Sequence, residues 1–316
     1  MKEAKTLILG NYQEDYVNKI REINPSTLFL PSFSQEDLVE HLPEAEILFL
    51  RSKPKMDKET IDMASNLKLI LRAGVGLDHL DLDYLAEKNI LVRSTPGANA
   101  DAVAEQTIGM LLSLLHFIVK ADREVSQFIW SRSPNRGTEL SSLTVGIIGY
   151  GHTGSAVGRR IQHLAAKTLA YDKYTSGFAH EKVQEVELEQ LLTEADVITF
   201  HVPLTKETRH WVNERFLEKL QKPVWLLNLA RGPVVKLSSL LPALEAGKLK
   251  GVALDVLEHE PLKKEKLTAE EAEMYDALLN HPMVIASPHI GGWSHQSEEN
   301  ILNMLYQHFT HYLTSS

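Results

Sequence analysis

Thr144-Val-Gly-Ile-Ile-Gly149-Tyr-Gly151-His-Thr-Gly154 is the stretch that decides the fold. Residues 144–148 form a short β-branched and aliphatic run of the kind that fills a buried strand. Three glycines follow at the spacing G-x-G-x-x-G, and Ala156, Val157, Arg159 and Ile161 begin a helix. In such a unit Gly149 allows the tight turn, Gly151 lets the backbone approach a pyrophosphate, and Gly154 lets helix and strand pack closely. The helix N-terminus adds unpaired N–H groups and the positive end of a dipole. Turns collect glycines anyway, so the triplet gains its weight from context. That context includes Asp172, which closes the next strand, Thr168-Leu-Ala-Tyr-Asp172, at the expected interval of about 20 residues. A carboxylate there accepts from the ribose hydroxyls of NAD and repels the 2′-phosphate of NADP. Lys173 softens the preference slightly. The expected cofactor is NAD.

Outward from this loop, short β-rich runs alternate with helical patterns. Upstream lie strands at 6–10, 27–30, 46–50, 67–71 and 90–93, with helices between them. Downstream, strands are expected at 144–149, 168–172, 196–202, 224–230, 251–256 and 283–287. Such alternation calls for parallel strands with crossover helices, hence an α/β fold of two doubly wound parallel-sheet domains. The length of 316 residues also suits two domains. Residues 100–120 read as one long helix, apolar on nearly all faces and expected to be buried between domains, and 131–137 as a turn-rich loop. Ile301, Leu302, Leu305, Phe309, Tyr312 and Leu313 fall on one side of a last helix over 296–313.

The charge balance, 33 basic against 42 acidic residues, gives a formal net charge of -9. Nucleic-acid and membrane-surface binding need concentrated positive charge, so neither partner is expected. With no cysteine, thiolate nucleophiles, disulfides and Cys-ligated zinc or iron–sulfur centres are excluded. The 14 histidines include no His-Glu-x-x-His helix, and His281, His289 and His295 lack a ligand spacing, so no metal is expected. No Gly-x-Ser-x-Gly elbow occurs. No signal peptide or membrane-length apolar run is found, and a cytoplasmic location is the expectation.

Further motifs stand in order along nearly the whole chain. They are Arg72-Ala-Gly-Val-Gly-Leu-Asp78, Thr95-Pro-Gly-Ala-Asn-Ala100 with Ala104-Glu105, His201-Val-Pro-Leu-Thr205, Asn228-Leu-Ala-Arg-Gly-Pro233, Leu254-Asp-Val-Leu-Glu-His-Glu-Pro261 and Ser287-Pro-His-Ile-Gly-Gly292. Together they resemble the D-isomer-specific 2-hydroxyacid dehydrogenases. The resemblance implies a Rossmann NAD domain over 99–288 and a flavodoxin-like substrate domain over 1–98 and 289–316, with the active site in an interdomain cleft. It implies catalysis by Arg231, Glu260 and His289. The fork of Arg231 suits a substrate carboxylate, His289 suits exchange of the hydroxyl proton, and Glu260 would orient the imidazole and favour its charged form. Taken singly, each has an ordinary structural explanation; the ordered set points to chemistry.

The same resemblance adds cofactor contacts at His152 and Thr153 in the glycine loop. It places His201, Val202 and Pro203 on the adenine side, Leu229 and Ala230 by the nicotinamide ribose, Asp255 at the nicotinamide amide, and Gly291 beside His289. Ala73, Gly74, Val75 and Gly76 would offer backbone N–H groups to the substrate carboxylate. Thr153 stands where an aliphatic residue is common in this loop, and the stretch 262–280, with a solvated helix carrying Lys263, Lys264 and Lys266, is longer than in many members.

The expected reaction is hydride transfer at C2 of a D-2-hydroxy or 2-keto acid. Arg51 and Ser52 end a first-domain strand and could meet a phosphate, so 3-phosphoglycerate, with a place in serine biosynthesis, is the first expectation for substrate. Hydroxypyruvate or glyoxylate comes next. No C-terminal regulatory domain, and so no serine feedback, is expected. Formate dehydrogenases share the fold but pair their histidine with glutamine, which Glu260 argues against. A non-catalytic NAD-sensing protein is the remaining alternative. A homodimer formed through residues 121–136 is expected from the family.

Overall fold

The computed structural model describes residues 4–180 and 182–315. The chain divides into two compact units, one built from the chain up to Asn99 together with the chain from Ser294, the other from Ala100–Trp293. The second crossing thus falls after Trp293 rather than at 289. The physical reason is local: the backbone N–H groups of His289, Ile290 and Gly291 all bond to Asp255 of the second unit. His289 therefore belongs with the glycine loop.

The first unit runs β1 (Thr6–Leu9), α1 (Glu14–Ile23), β2 (Thr27–Leu30), α2 (Gln35–His41), β3 (Ile47–Leu50), α3 (Lys58–Met63), β4 (Leu69–Arg72), α4 (Leu82–Glu87) and β5 (Leu91–Arg93). Its five strands are all parallel in the order β2-β1-β3-β4-β5. Strand parity divides the core. Ile8, Ile47 and Phe49 meet α1 and the last helix of the chain, while Leu7, Leu9, Leu48 and Leu50 meet α2, α3 and α4. Phe49 packs edge-on against Phe309, with ring centroids 5.3 Å apart.

The second unit begins with α5 (Ala100–Leu115) and α6 (Ile118–Ser126). It continues β6 (Thr144–Ile148), α7 (His152–Ile161), β7 (Lys167–Tyr171), β8 (Val183–Glu185), α8 (Leu188–Glu194), β9 (Val197–Phe200), α9 (Glu214–Glu218), β10 (Val224–Asn228), α10 (Leu240–Glu245), β11 (Leu249–Leu254), α11 (Ala269–Asn280) and β12 (Val284–Ala286). The last helix, α12 (His295–Ser315), returns to the first unit. The order β12-β11-β10-β9-β6-β7-β8 is parallel throughout, and its reversal lies between β6 and β9. Ligands of doubly wound sheets sit outside the carboxyl ends of the strands at such a reversal.

Three local readings need correction. The single helix over 100–120 is two helices bent by 61°. Phe117 adopts a left-handed φ of 54°, and Thr138 donates its N–H to the freed carbonyl of Leu115 at 2.9 Å. The α5 segment is buried among residues of its own unit, whereas α6 has no buried residue. The strand β8 escaped the pattern reading because Val183 is its one buried apolar residue. Lys264 and Lys266 lie in a short 3-10 turn, and the helix of that stretch starts later, at a capping box of Thr268 and Glu271. Among the described residues no single helix is long and apolar enough to cross a membrane, and no group of three or more His, Cys, Asp or Glu is placed to hold a metal.

Candidate active site

At the end of β6, Gly149 turns the chain with φ of 90°. A Cβ there would meet the carbonyl oxygen of His201 at 2.7 Å, so the segment starting His201-Val202-Pro203 flanks the turn directly. A Cβ on Gly154 would lie 1.9 Å from the oxygen of Gly149, so only glycine lets α7 press onto the turn. Gly151, by contrast, has open space where a Cβ would be, and it caps α7 without any side-chain hydrogen bond. Open backbone, an uncapped helix start carrying His152 and Thr153, and the dipole form a cradle that fits a pyrophosphate.

Asp172 is more occupied than its motif suggests. Its Oδ2 accepts from the N–H of Tyr150 at 2.7 Å, and its Oδ1 from Tyr174 and Thr175 at 2.9 and 3.0 Å. A carboxylate offers about four acceptor directions, so one on Oδ2 remains for a ribose hydroxyl. Lys173 does not counter it. Its Nζ pairs with Glu207 at 2.5 Å, and that hydrogen bond holds the lysine pKa above its ordinary value. The donor set therefore fits NAD: a cradle for the phosphates and a fixed acid for the ribose. His201 completes the wall as a neutral group, its pKa pushed down to about 3 by burial. Its Nε2 lies 3.0 Å from the Thr199 hydroxyl, and its Nδ1 is buried without a partner.

Arg231 lies three residues past the end of β10. Its Nη1 donates to the Ala230 carbonyl at 2.7 Å, and Asn228 Nδ2 donates to the oxygen of Arg231 at 2.9 Å, which fixes the start of the fork. After β11, Glu260 accepts the N–H of Leu257 on Oε1 at 2.6 Å and holds His289 Nδ1 on Oε2 at 2.6 Å. The hydrogen bond that His289 Nδ1 donates to Glu260 raises the His289 pKa, against burial and the Arg231 charge, which lower it. Glu260 and His289 thus touch although 29 residues separate them in sequence, and the Arg231 charge is near enough to act on the imidazole. With the carboxylate on Nδ1, Nε2 is the ring nitrogen that Glu260 does not occupy, and the side chain is half exposed. His289 also has a left-handed φ of 58°, unusual for a non-glycine residue and common where side-chain aim matters.

Asp255, only 2% exposed, organises this segment. Its Oδ1 accepts from the Ser287 hydroxyl at 2.6 Å and Ile290 N–H at 2.9 Å, its Oδ2 from Gly291 N–H at 2.8 Å. A Cβ on Gly291 would lie 2.8 Å from that Oδ2, which explains the glycine. Leu229 and Ala230 are buried at the head of the Arg231 loop.

A second histidine–carboxylate pair was not legible as such. His210 Nε2 lies 2.6 Å from Glu258 Oε1, and Glu258 Oε2 accepts the N–H of Leu237 at 2.8 Å. One carboxylate thus ties the loops after β9, β10 and β11 together. The only sequence signal was the Glu-His-Glu run at 258–260, where two acids compete for one role.

In the first unit, Arg51 follows β3 and forms a bidentate pair with Glu298 of α12, while Ser52 is exposed. Of the four expected N–H donors, Ala73 and Gly74 are already engaged. Ala73 donates to the Leu50 carbonyl at 2.8 Å and Gly74 to the Thr95 hydroxyl at 3.1 Å. Sheet pairing continues one residue past β4 to take the Ala73 N–H, and the Thr95 side chain takes that of Gly74, so that expectation rests on Val75 and Gly76 alone.

Residues 108–291 match the family model described as D-isomer specific 2-hydroxyacid dehydrogenase, NAD binding domain. The D-3-phosphoglycerate dehydrogenase of Archaeoglobus fulgidus is 34% identical over 299 residues, 94% of this chain and 55% of the relative. The chain thus spans about half the length of that enzyme. The hydroxypyruvate reductase of Thermotoga maritima is 34% identical over 267 residues, 84% of each chain. Among solved structures, a D-lactate dehydrogenase from Aquifex aeolicus, complexed with NAD and lactic acid, superposes with a TM-score of 0.88 at 31% identity. That superposition covers 98% of this chain and 96% of that one.

Proposed function

The chain belongs to the D-isomer specific 2-hydroxyacid dehydrogenase family, and from that premise we propose that it interconverts a D-2-hydroxy acid and its 2-keto acid. Bound at the Gly149–Gly154 loop, NAD would supply the hydride acceptor and, reduced, the donor. The observation that carries the reading is the 2.6 Å contact of Glu260 with His289 beside Arg231.

In this reading Arg231 takes the substrate carboxylate in its fork and polarises the neighbouring carbonyl. His289, charged through its contact with Glu260, gives a proton from Nε2 to the carbonyl oxygen during reduction. In the opposite direction the neutral ring takes it back. Glu260 holds the ring in place through its contact with Nδ1. Asp255 holds the segment carrying His289, and its placement at the nicotinamide amide is part of the proposal. So is the role of His201, Val202 and Pro203 along the adenine. Val75 and Gly76 are proposed as N–H donors to the carboxylate.

The test is steady-state oxidation of NADH with glyoxylate, pyruvate, hydroxypyruvate and its 3-phosphate. We expect turnover of at least one, with NADH favoured over NADPH. A protein that binds NADH and turns over none of them would be a sensor, and the proposal would be lost.

We also propose a homodimer through residues 121–136. Phe128 and Trp130 are 99% and 83% exposed there, and Val125 and Ile129 are exposed beside them. So large an apolar patch is costly to leave in water.

A further inference from the structure

Three consecutive residues after β11 each take a different partner. Glu258 Oε1 lies 2.6 Å from His210 Nε2, and its Oε2 accepts the Leu237 N–H at 2.8 Å. His259 donates its N–H to the Tyr275 hydroxyl at 3.3 Å, and its Nδ1 lies 3.1 Å from the same oxygen. Its Nε2 lies 3.4 Å from Oε1 of Glu271, the capping-box residue of α11. Glu260 then holds His289 Nδ1 at 2.6 Å. The Glu258 side chain is 16% exposed and Tyr275 3%, so both contacts lie largely away from water, where a hydrogen bond is stronger. His210 is itself fixed, with a left-handed φ of 52° and its N–H on the Pro233 carbonyl at 2.7 Å. Gly232 packs on the same turn: a Cβ there would lie 1.8 Å from the Leu257 oxygen and 2.8 Å from the Glu258 nitrogen. The loop that starts at Arg231 is therefore seated on the turn that leads to Glu260.

Resting on the function proposed above, we infer that Glu258 and Tyr275 are positioning residues, which clamp the turn before Glu260 so that its carboxylate stays on His289 Nδ1. A hydrogen bond weakens steeply once its angle opens, so a turn free to rock would lose the contact. Ties at 258 and 259 to separate elements remove that freedom just before the residue that needs it. The stretch 262–280 gains a purpose in this reading, since α11 supplies the hydroxyl that holds His259. The charged groups that act on the imidazole are Glu260 and Asp255, which favour its charge, and Arg231, which opposes it. Glu258 and Tyr275 act through the first of these.

The test reads the titration midpoint of the His289 imidazole by NMR in the cofactor-free protein with labelled histidine, the signal being assigned by its loss in His289→Asn. Tyr275→Phe removes one oxygen and no charge, and leaves the ring in the core. Its His289 midpoint is expected to fall by about half a pH unit, and the alkaline limb of kcat/KM for keto-acid reduction should move with it. Glu258→Ala is expected to do the same, and Glu258→Gln, which keeps one acceptor, to recover part of the loss. In a Glu260→Gln background neither change should move the midpoint further, because the contact they serve is gone. Wild-type midpoints in Tyr275→Phe and Glu258→Ala overturn the inference, and so does an equal shift in the Glu260→Gln background. A wild-type midpoint in one of them alone overturns the role of that residue. If Glu258→Ala fails to fold, Tyr275→Phe decides. Turnover of no keto acid defeats the functional reading, while the His289 midpoints still decide whether the clamp exists.

Discussion

Three features of its surroundings bear on the proton exchange proposed for His289. Its backbone is held in the left-handed region, Glu260 fixes Nδ1, and Arg231 is close enough to oppose its charge. Replacing His289 or Arg231 by alanine is expected to lower kcat/KM for keto-acid reduction by about 10²–10⁴. The Kd for NADH should stay close to that of the wild type, as read by fluorescence titration. Loss of cofactor binding together with turnover would show these residues acting on the fold instead. The pH dependence has a definite sign. Reduction uses imidazolium, so its rate falls as pH rises through the His289 pKa, which the Glu260 contact raises. Glu260→Gln removes the main raising influence, and the alkaline limb of the kcat/KM profile should move to lower pH. A limb that stays put would remove Glu260 from this role. Asp172 belongs to the same scale. Its three backbone contacts mean that Asp172→Ala should destabilise the protein by about 2–3 kcal/mol in urea unfolding, besides weakening NADH binding.

Among the elements, α7 and its turn show how much a strand–loop–helix motif can reveal. The roles read for Gly149 and Gly154 correspond to a positive φ and a 1.9 Å approach. A methyl group at 154 has nowhere to go except by lifting α7 from β6. Gly154→Ala should therefore lower NADH affinity at least tenfold and cost about 1–3 kcal/mol of stability, measured by titration and thermal unfolding. Wild-type affinity in Gly154→Ala would show that the helix start is not the phosphate cradle. The long helix was legible only as apolar sequence. Its break at Phe117 depends on Gly137 and Thr138, some twenty positions later, closing against Leu115. Periodicity within a window carries no trace of such a partner. β8 was hidden for the opposite reason: an edge strand with one buried side chain has no pattern to read.

For the whole molecule, the unit Ala100–Trp293 is continuous in sequence and holds two buried clusters, one on each face of its seven-stranded sheet. Expressed alone, this segment is expected to fold cooperatively and bind NADH without turnover; an unfolded product would show that it needs the rest of the chain. If the proposed dimer forms, replacing Phe128 and Trp130 together by serine should convert it to monomer in sedimentation, with little change in monomer stability, since neither side chain is buried within the chain. Alternation of short strands and helices, the glycine loop and the ordered motifs determined the fold class and the cofactor, and singled out Arg231, Glu260 and His289 as the proposed catalytic residues. These are legible because each depends on local spacing or on backbone freedom at a single residue. Tertiary structure decided what each charge faces. Glu298 occupies the fork of Arg51, Glu207 occupies Lys173, and Asp255 carries the His289 segment. Electrostatic pairing falls off with distance through space and not along the chain, so a sequence names the ions but the fold alone selects their partners.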